Sequence, residues 1–246
     1  MNDDLEKRLV IIPAYNEEGA ILGTVDSIRK KAPSFDVIVI NDCSSDSTRE
    51  LLEKNGIRHI NLPMNLGIGG AVQTGYIYAA KKGYDVAVQM DGDGQHDPAY
   101  LDKMLDAMKK QKADMVIGSR FIENEGFQST KLRRFGIGFF TKWIKMLTHK
   151  TITDPTSGMR MANKKVIEVF AENYPKDYPE PETVVSILKQ GYTITEIPVK
   201  MLERTAGESS ISMKKSVYYM IKVSMACLIS SWTAGLTGGK RKSIRD

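Results

Sequence analysis

The chain is poor in cysteine and histidine and contains no long apolar run. Its 246 residues include two cysteines, Cys43 and Cys227, and three histidines, His59, His96 and His149. Two cysteines exclude a disulfide framework and a cysteine-built zinc site, and histidines this scattered exclude a histidine metal cluster. A reducing, cytoplasmic setting is expected. No stretch of about 20 apolar residues offers a membrane-spanning helix; the nearest, Val223 to Gly239, is uncharged but diluted by serine, threonine and glycine. The N-terminus, Met1 to Arg8, carries charge and lacks the apolar core of a secretory signal. The formal net charge of +5 sits mainly in the tail, Lys240 to Asp246, with no recognition motif around it, so no nucleic-acid partner is expected.

What is present is a rhythm of short apolar runs and helical patterns. Leu9–Ile12, Val37–Ile40, His59–Leu62, Val86–Met90 and Met115–Gly118 are short, rich in β-branched residues and without polar alternation. Parallel strands covered on both faces have that character. Helical patterns lie between them, near Glu18 to Lys31, Ser47 to Lys54, Gly69 to Lys82 and Pro98 to Lys110, with Asn16 and Asp46 as N-cap candidates. The alternation predicts a doubly wound α/β domain with a mostly parallel central sheet. After Arg120 the rhythm loosens. Glu123 to Arg134 reads as a polar, mobile loop, followed by helices near Arg134 to Leu147, Lys164 to Glu172 and Thr183 to Lys189 and a strand over Thr193 to Val199. From Ile211 onward, Lys214, Lys215 and Lys222 interleave with Val217, Tyr218, Ile221, Met225 and Leu228, the pattern of a basic amphipathic helix. The expected division is therefore a catalytic domain over residues 1–211 and an amphipathic helix with its tail over 212–246.

Open parallel sheets bind ligands beyond the carboxyl ends of their strands. Those ends carry Pro13-Ala-Tyr-Asn-Glu-Glu, Asn41-Asp-Cys-Ser-Ser-Asp, Asp91-Gly-Asp-Gly-Gln-His-Asp and Gly118-Ser-Arg-Phe. In Asp91-Gly-Asp93, two carboxylates one glycine apart on a turn can face one ion, with Gln95 adding a neutral oxygen. Magnesium or manganese is commonly held by one or two carboxylates together with substrate phosphates. Asp and Gly also form ordinary turns, but the position after a buried strand favours the metal. Asn65-Leu-Gly-Ile-Gly-Gly opens a helix; its glycines suit either a phosphate or close helix-to-sheet packing.

These segments, with Asp154-Pro-Thr-Ser-Gly-Met-Arg160, resemble in order and spacing the family 2 glycosyltransferases of the GT-A (Rossmann-like) fold, over most of residues 9–210. Within that family the chain is most similar to polyprenyl-phosphate sugar synthases of the dolichyl-phosphate mannose synthase type. The resemblance implies that Pro13, Ala14, Tyr15, Glu17, Asp42 and Asp91 hold the nucleotide, with Tyr15 against the base. It assigns Asp91, Asp93 and Gln95 to Mg2+ or Mn2+, and Arg120, Arg133, Arg134 and Arg204 to phosphate or acceptor. Asp154 and Arg120 would be catalytic, and Glu180 or Glu182 falls where relatives carry an acid before a helix.

The reaction implied is inverting transfer of a hexose from a UDP-, GDP- or dTDP-sugar. An incoming phosphate is already anionic, with a second pKa of about 6, and needs arginine guidance more than a general base. A sugar hydroxyl would need a carboxylate within reach. The expected acceptor is polyprenyl (undecaprenyl) phosphate, reached by peripheral contact with the inner face of the cell membrane. The alternatives are transfer to a hydroxyl of a lipid-linked or cell-surface polysaccharide, and a non-catalytic nucleotide-sugar-binding partner. A homo-oligomer is compatible with the sequence.

Overall fold

The computed structural model describes residues 6–123, 131–177, 179–202 and 220–233. The elements run β1 (Arg8–Ala14), α1 (Ile21–Lys31), β2 (Asp36–Asn41), α2 (Thr48–Lys54), β3 (His59–Asn61), α3 (Gly67–Lys82), β4 (Val86–Gln89), α4 (Leu101–Gln111), β5 (Met115–Ser119), α5 (Lys131–Thr148), β6 (Arg160–Asn163), α6 (Lys164–Glu172), α7 (Pro179–Lys189) and β7 (Ile194–Pro198). Residues 220–233 form a last helix, α8. The seven strands lie in one sheet in the order β3-β2-β1-β4-β6-β5-β7.

Alternate side chains of the apolar runs enter opposite layers, as a period of two requires. Leu9 and Ile11 of β1 join Ile38, Ile40 and the α3 residues Val72 and Tyr76 on one face. Val10 and Ile12 join Val25 and Ile28 of α1 and Met104 of α4 on the other. Each such side chain, fully buried, contributes about 1.5–3 kcal/mol. Cover on both faces is the reason these strands show no polar alternation.

β6 is the strand the sequence pattern does not announce. It pairs antiparallel with both β4 and β5, in a sheet otherwise parallel. Only Met161 and Ala162 are apolar in Arg160-Met-Ala-Asn, too short a run to carry a period. Its direction has a consequence. A reversed strand begins at the edge where its neighbours end, so Arg160 lies level with Gln89 of β4 and Ile117 of β5. The turn preceding it, Asp154 to Gly158, is thereby delivered to the carboxyl edge.

Helix starts depart from expectation in detail. α1 is preceded by Ala20 without a side-chain cap, because Asn16 is used between loops. Asp46 stands one residue before the N-cap position of α2 but still accepts from Thr48 N at 2.9 Å. Asp97 caps the 3-10 turn Pro98–Tyr100 that leads into α4. α5 already includes residues 131–134 of the expected polar loop; residues 124–130 lie outside the described residues. Pro179 and Pro181 both fall in the first turn of α7, where a missing N–H breaks no helical bond.

Only part of the expected C-terminal helix is described. Val223 and Cys227 of α8 enter the same core cluster as Phe140 and Ile144 of α5 and Val184 and Ile187 of α7. Lys222 Nζ meets Asp177 at 2.6 Å and Ser230 Oγ donates to Glu182 at 2.7 Å. The opposite face, with Ile221, Met225, Leu228, Ile229 and Trp232, is exposed.

The glycines opening α3 serve packing. A Cβ on Gly69 would stand 2.0 Å from the carbonyl oxygen of Pro175 and 2.3 Å from that of Lys176, and one on Gly75 2.2 Å from Ile11 Cγ2. Gly69→Ala is therefore expected to destabilise by about 1–3 kcal/mol. Gly23→Ala, inside α1 with open space around it, should instead stabilise by up to about 1 kcal/mol. Urea unfolding of both variants measures this; equal midpoints would refute the close approach at Gly69.

Candidate active site

The first two loops of the carboxyl edge hold each other. Asn16 Oδ1 accepts from Ser45 N at 2.8 Å, Asn16 N donates to Ser44 Oγ at 3.0 Å, and Glu17 N donates to Thr48 Oγ1 at 2.9 Å. Glu18 N donates to Asp46, and Ser47 N to Glu18, at 3.1 and 2.9 Å. Asn16 and Cys43 take positive φ, 56° and 59°, turning each loop toward the other. Pro13 and Ala14 are buried and Tyr15 is half exposed. Asp42 is buried at the end of β2; its Oδ1 accepts from Leu66 N at 2.7 Å, fixing the entry to α3.

The turn after β4 is built around its acids. Asp93 is buried and accepts from Gln95 N at 3.0 Å. The Gln95 carbonyl accepts from Leu202 N at 2.9 Å, and His96 bridges to Met201. His96 is buried beneath Asp91: its Nδ1 accepts from Asp91 N at 3.1 Å, and its Nε2 lies 3.8 Å from Asp91 Oδ2. Glu17 runs alongside, since a Cβ on Gly92 would stand 3.4 Å from Glu17 Cγ. A Cβ on Gly158 would stand 3.0 and 3.1 Å from the two Asp91 carboxylate oxygens. The bare glycine thus keeps that carboxylate uncovered.

Across the turn stands a buried ion pair. Arg120 Nε and Nη2 donate to Asp154 Oδ2 and Oδ1 at 2.6 and 2.7 Å, Arg120 N adds a third bond to Oδ2 at 3.2 Å, and Nη2 also reaches Thr156 Oγ1 at 2.9 Å. Asp154 has no exposed surface. Its backbone N donates to Glu196 of β7 at 2.9 Å, and Thr153 gives the same carboxylate two more bonds. Burial raises the pKa of Glu196 against the lowering effect of these bonds.

The two α7 acids part company. Burial raises the pKa of Glu180, opposed mainly by Arg160; Asp91 adds to the rise and Arg120 subtracts from it, which places Glu180 within the electrostatic reach of the site. Glu182 faces α8 instead, accepting from Ser230. Arg134 is exposed in the first turn of α5. The side chain of Arg133 and all of Arg204 lie outside the described residues. Sequence reasoning misses His96, Gly158, Arg160 and Glu196. The first three lie inside motifs it quotes, but their partners are distant in sequence or backbone atoms.

Among the described residues no three His, Cys, Asp or Glu side chains form a ready metal cage. Asp91 and Asp93 match the other arrangement, in which a hard divalent cation takes one or two carboxylates and completes its shell with water and phosphate oxygens. The uncovered Asp91 carboxylate fits that use. For the ion pair, Asp154→Asn is expected to cost about 3–5 kcal/mol, because it strands a buried guanidinium. Denaturant unfolding checks this, and a loss under about 1 kcal/mol would contradict the anchoring role.

Comparison with known proteins follows the same lines. The family model described as Glycosyl transferase family 2 matches residues 9–170. An undecaprenyl-phosphate mannosyltransferase of Micrococcus luteus is 30% identical over 213 residues, covering 83% of this chain and 87% of the relative. A polyprenol monophosphomannose synthase of Mycolicibacterium smegmatis is 28% identical over 228 residues, covering 89% and 86%. Glucosyl-3-phosphoglycerate synthase from Mycobacterium tuberculosis, solved with Mn2+, UDP and phosphoglyceric acid, superposes with a TM-score of 0.68, 18% identity and coverage of 92% of this chain and 78% of that one. That last likeness speaks to fold alone. With the match spanning the strand-end acids, the chain belongs to glycosyl transferase family 2 and is a glycosyltransferase of the GT-A fold.

Proposed function

We propose that this enzyme moves a hexose from a nucleotide diphosphate sugar to polyprenyl phosphate, inverting the anomeric carbon, at the cytoplasmic face of a membrane. The observation that carries this reading is the meeting of the Asp91–Asp93 turn with the Asp154-held Arg120 at one sheet edge. The acceptors named for the two mannosyl-transferring relatives support the choice of polyprenyl phosphate.

In this reading Pro13, Ala14, Tyr15, Glu17 and Asp42 receive the nucleotide, Tyr15 lying against the base. Asp91, Asp93 and Gln95 would hold Mg2+ or Mn2+, which when bound neutralises charge on the departing diphosphate. Arg120, with Nε and Nη2 held by Asp154, would offer phosphate the Nη1 side of a guanidinium that stays charged at all working pH values. Asp154 orients Arg120 rather than serving as base, since both its oxygens are taken by that arginine. Arg133, Arg134 and Arg204 are assigned to the acceptor phosphate by family resemblance. An anionic acceptor then needs positioning and electrostatic guidance more than proton removal. One observation favours a second reading, transfer to a sugar hydroxyl: Glu180, with its carboxyl held above the ordinary range, is a suitable base.

Membrane contact rests on α8. Its exposed row of Ile221, Met225, Leu228, Ile229 and Trp232 continues into a strongly basic tail. Residues 211–246 hold seven Lys or Arg against one Asp, so the net positive charge of the chain is carried there, the remainder being close to balanced. Apolar area beside basic residues suits an anionic lipid surface. No described helix is long and apolar enough to cross a membrane.

UDP-, GDP- and dTDP-sugars with and without Mn2+ should separate the donors by thermal shift, the true donor adding about 2.7 kcal/mol at a hundredfold excess over its Kd. Asp93→Asn should remove the Mn2+-dependent part; a shift that persists unchanged would argue against the metal assignment. Transfer assays with polyprenyl phosphate and with a lipid-linked sugar then decide between the two acceptors. In flotation with anionic vesicles, the double variant Leu228→Ser, Trp232→Ser is expected to bind about tenfold more weakly or worse. Binding equal to wild type would exclude this face as the contact.

A further inference from the structure

Arg160 begins β6 at the carboxyl edge and is 1% exposed. Its Nε donates to Ser157 O at 2.7 Å and its Nη2 to Pro155 O at 2.7 Å. Its Nη1 donates to Glu180 O and to Thr183 Oγ1, each at 2.7 Å. All four partners are neutral. An arginine does not shed its proton when buried, and taking an ion out of water costs several kcal/mol unless excellent geometry offsets it. A methionine of similar bulk would fill the space without that penalty. What the guanidinium adds is geometry, because a planar fork of five N–H groups can bind several fixed acceptors at once.

The acceptors come from two segments more than 20 residues apart. Pro155 and Ser157 belong to the turn that places Asp154 on Arg120 and lays Gly158 against Asp91. Glu180 and Thr183 form the first turn of α7, where Thr183 Oγ1 also donates back to Pro179 O at 2.8 Å. One buried side chain therefore links the strand-end turn to the helix carrying Glu180. We propose that Arg160 is a positioning residue for group transfer, one that sets the turn from Asp154 to Gly158, which holds Arg120 and lies against Asp91, relative to the first turn of α7 that carries Glu180. The kinetic consequence rests on the transferase reading above; the mechanical link does not.

Two full-length variants test it. Arg160→Lys keeps the charge but, with one point-like ammonium, cannot span both segments. Thr183→Val removes one acceptor at nearly constant volume. The first measurement, amide hydrogen exchange without substrate, is expected to show residues 154–159 and 180–185 losing protection together in Arg160→Lys, with β1 to β3 unchanged. The second uses the wild-type donor, Mn2+ and a short-chain polyprenyl phosphate. There kcat should fall about 10–100-fold in Arg160→Lys, the scale of a misplacement near 1 Å, and less in Thr183→Val. Donor KM and the thermal shift given by UDP with Mn2+ should stay within about twofold of wild type, as a purely structural loss would not allow. Unchanged exchange in both segments would overturn the proposal, as would exchange that rises throughout the sheet with loss of the UDP shift. If wild type transfers to no polyprenyl phosphate, the acceptor reading fails, and the exchange result still decides the link.

Discussion

Arg120 and Asp154 form a pair of opposite charges that share almost no solvent, and the carboxyl edge around β5, β6 and β7 is organised around it. Either group alone in that position would be strongly destabilising, so each holds the other in place. Arg120 follows β5, and Asp154 opens the turn into β6. Glu196 of β7 fastens the backbone on the far side of Asp154. Three neighbouring strands are thus tied together near the carboxyl edge by one guanidinium and two carboxylates. The arginine keeps a fixed orientation because its partner is committed to it and has no exposed surface.

The reversed strand β6 explains why this pair can form. Parallel strands bring only their trailing loops to the carboxyl edge, whereas an antiparallel strand brings the residues that precede it. Asp154 to Gly158 therefore arrives beside the Asp91 turn from the opposite direction, and the glycine at its end leaves the Asp91 carboxylate bare. Arg160, the first residue of the same strand, extends the connection to α7. α7 in turn packs against α8, through Glu182 and Ser230. The helix with the exposed apolar row is consequently one contact removed from the helix that carries Glu180.

The two halves of the site differ in how they are made. After β1 and β2, each candidate residue follows directly from the strand before it, and adjacent loops lock through Asn16, Ser44 and Ser45. Proximity there is a product of adjacent strands in register. Around β5, β6 and β7, contacts join residues 120 to 154, 153 to 196, and 160 to 183. Their geometry depends on the whole sheet being assembled.

That difference decided what could be read from the amino acids alone. Buried parallel strands need continuous β-branched runs, so β1, β2, β4 and β5 were visible in Leu9–Ile12, Val37–Ile40, Val86–Met90 and Met115–Gly118, and the acids after them were visible as strand-end residues. β6 was not, because two apolar residues between an arginine and an asparagine carry no period. Nor could composition separate Glu180 from Glu182, which lie two residues apart; the helical turn of α7 alone sends Glu182 toward α8 and leaves Glu180 within electrostatic reach of Arg160. The use of Asp154 as a partner for Arg120, and of Arg160 as a tie between segments, belonged wholly to the tertiary structure. A hydrogen bond's partner is set by where distant backbone and side-chain groups come to rest, and local sequence encodes the donor but not the acceptor it will meet.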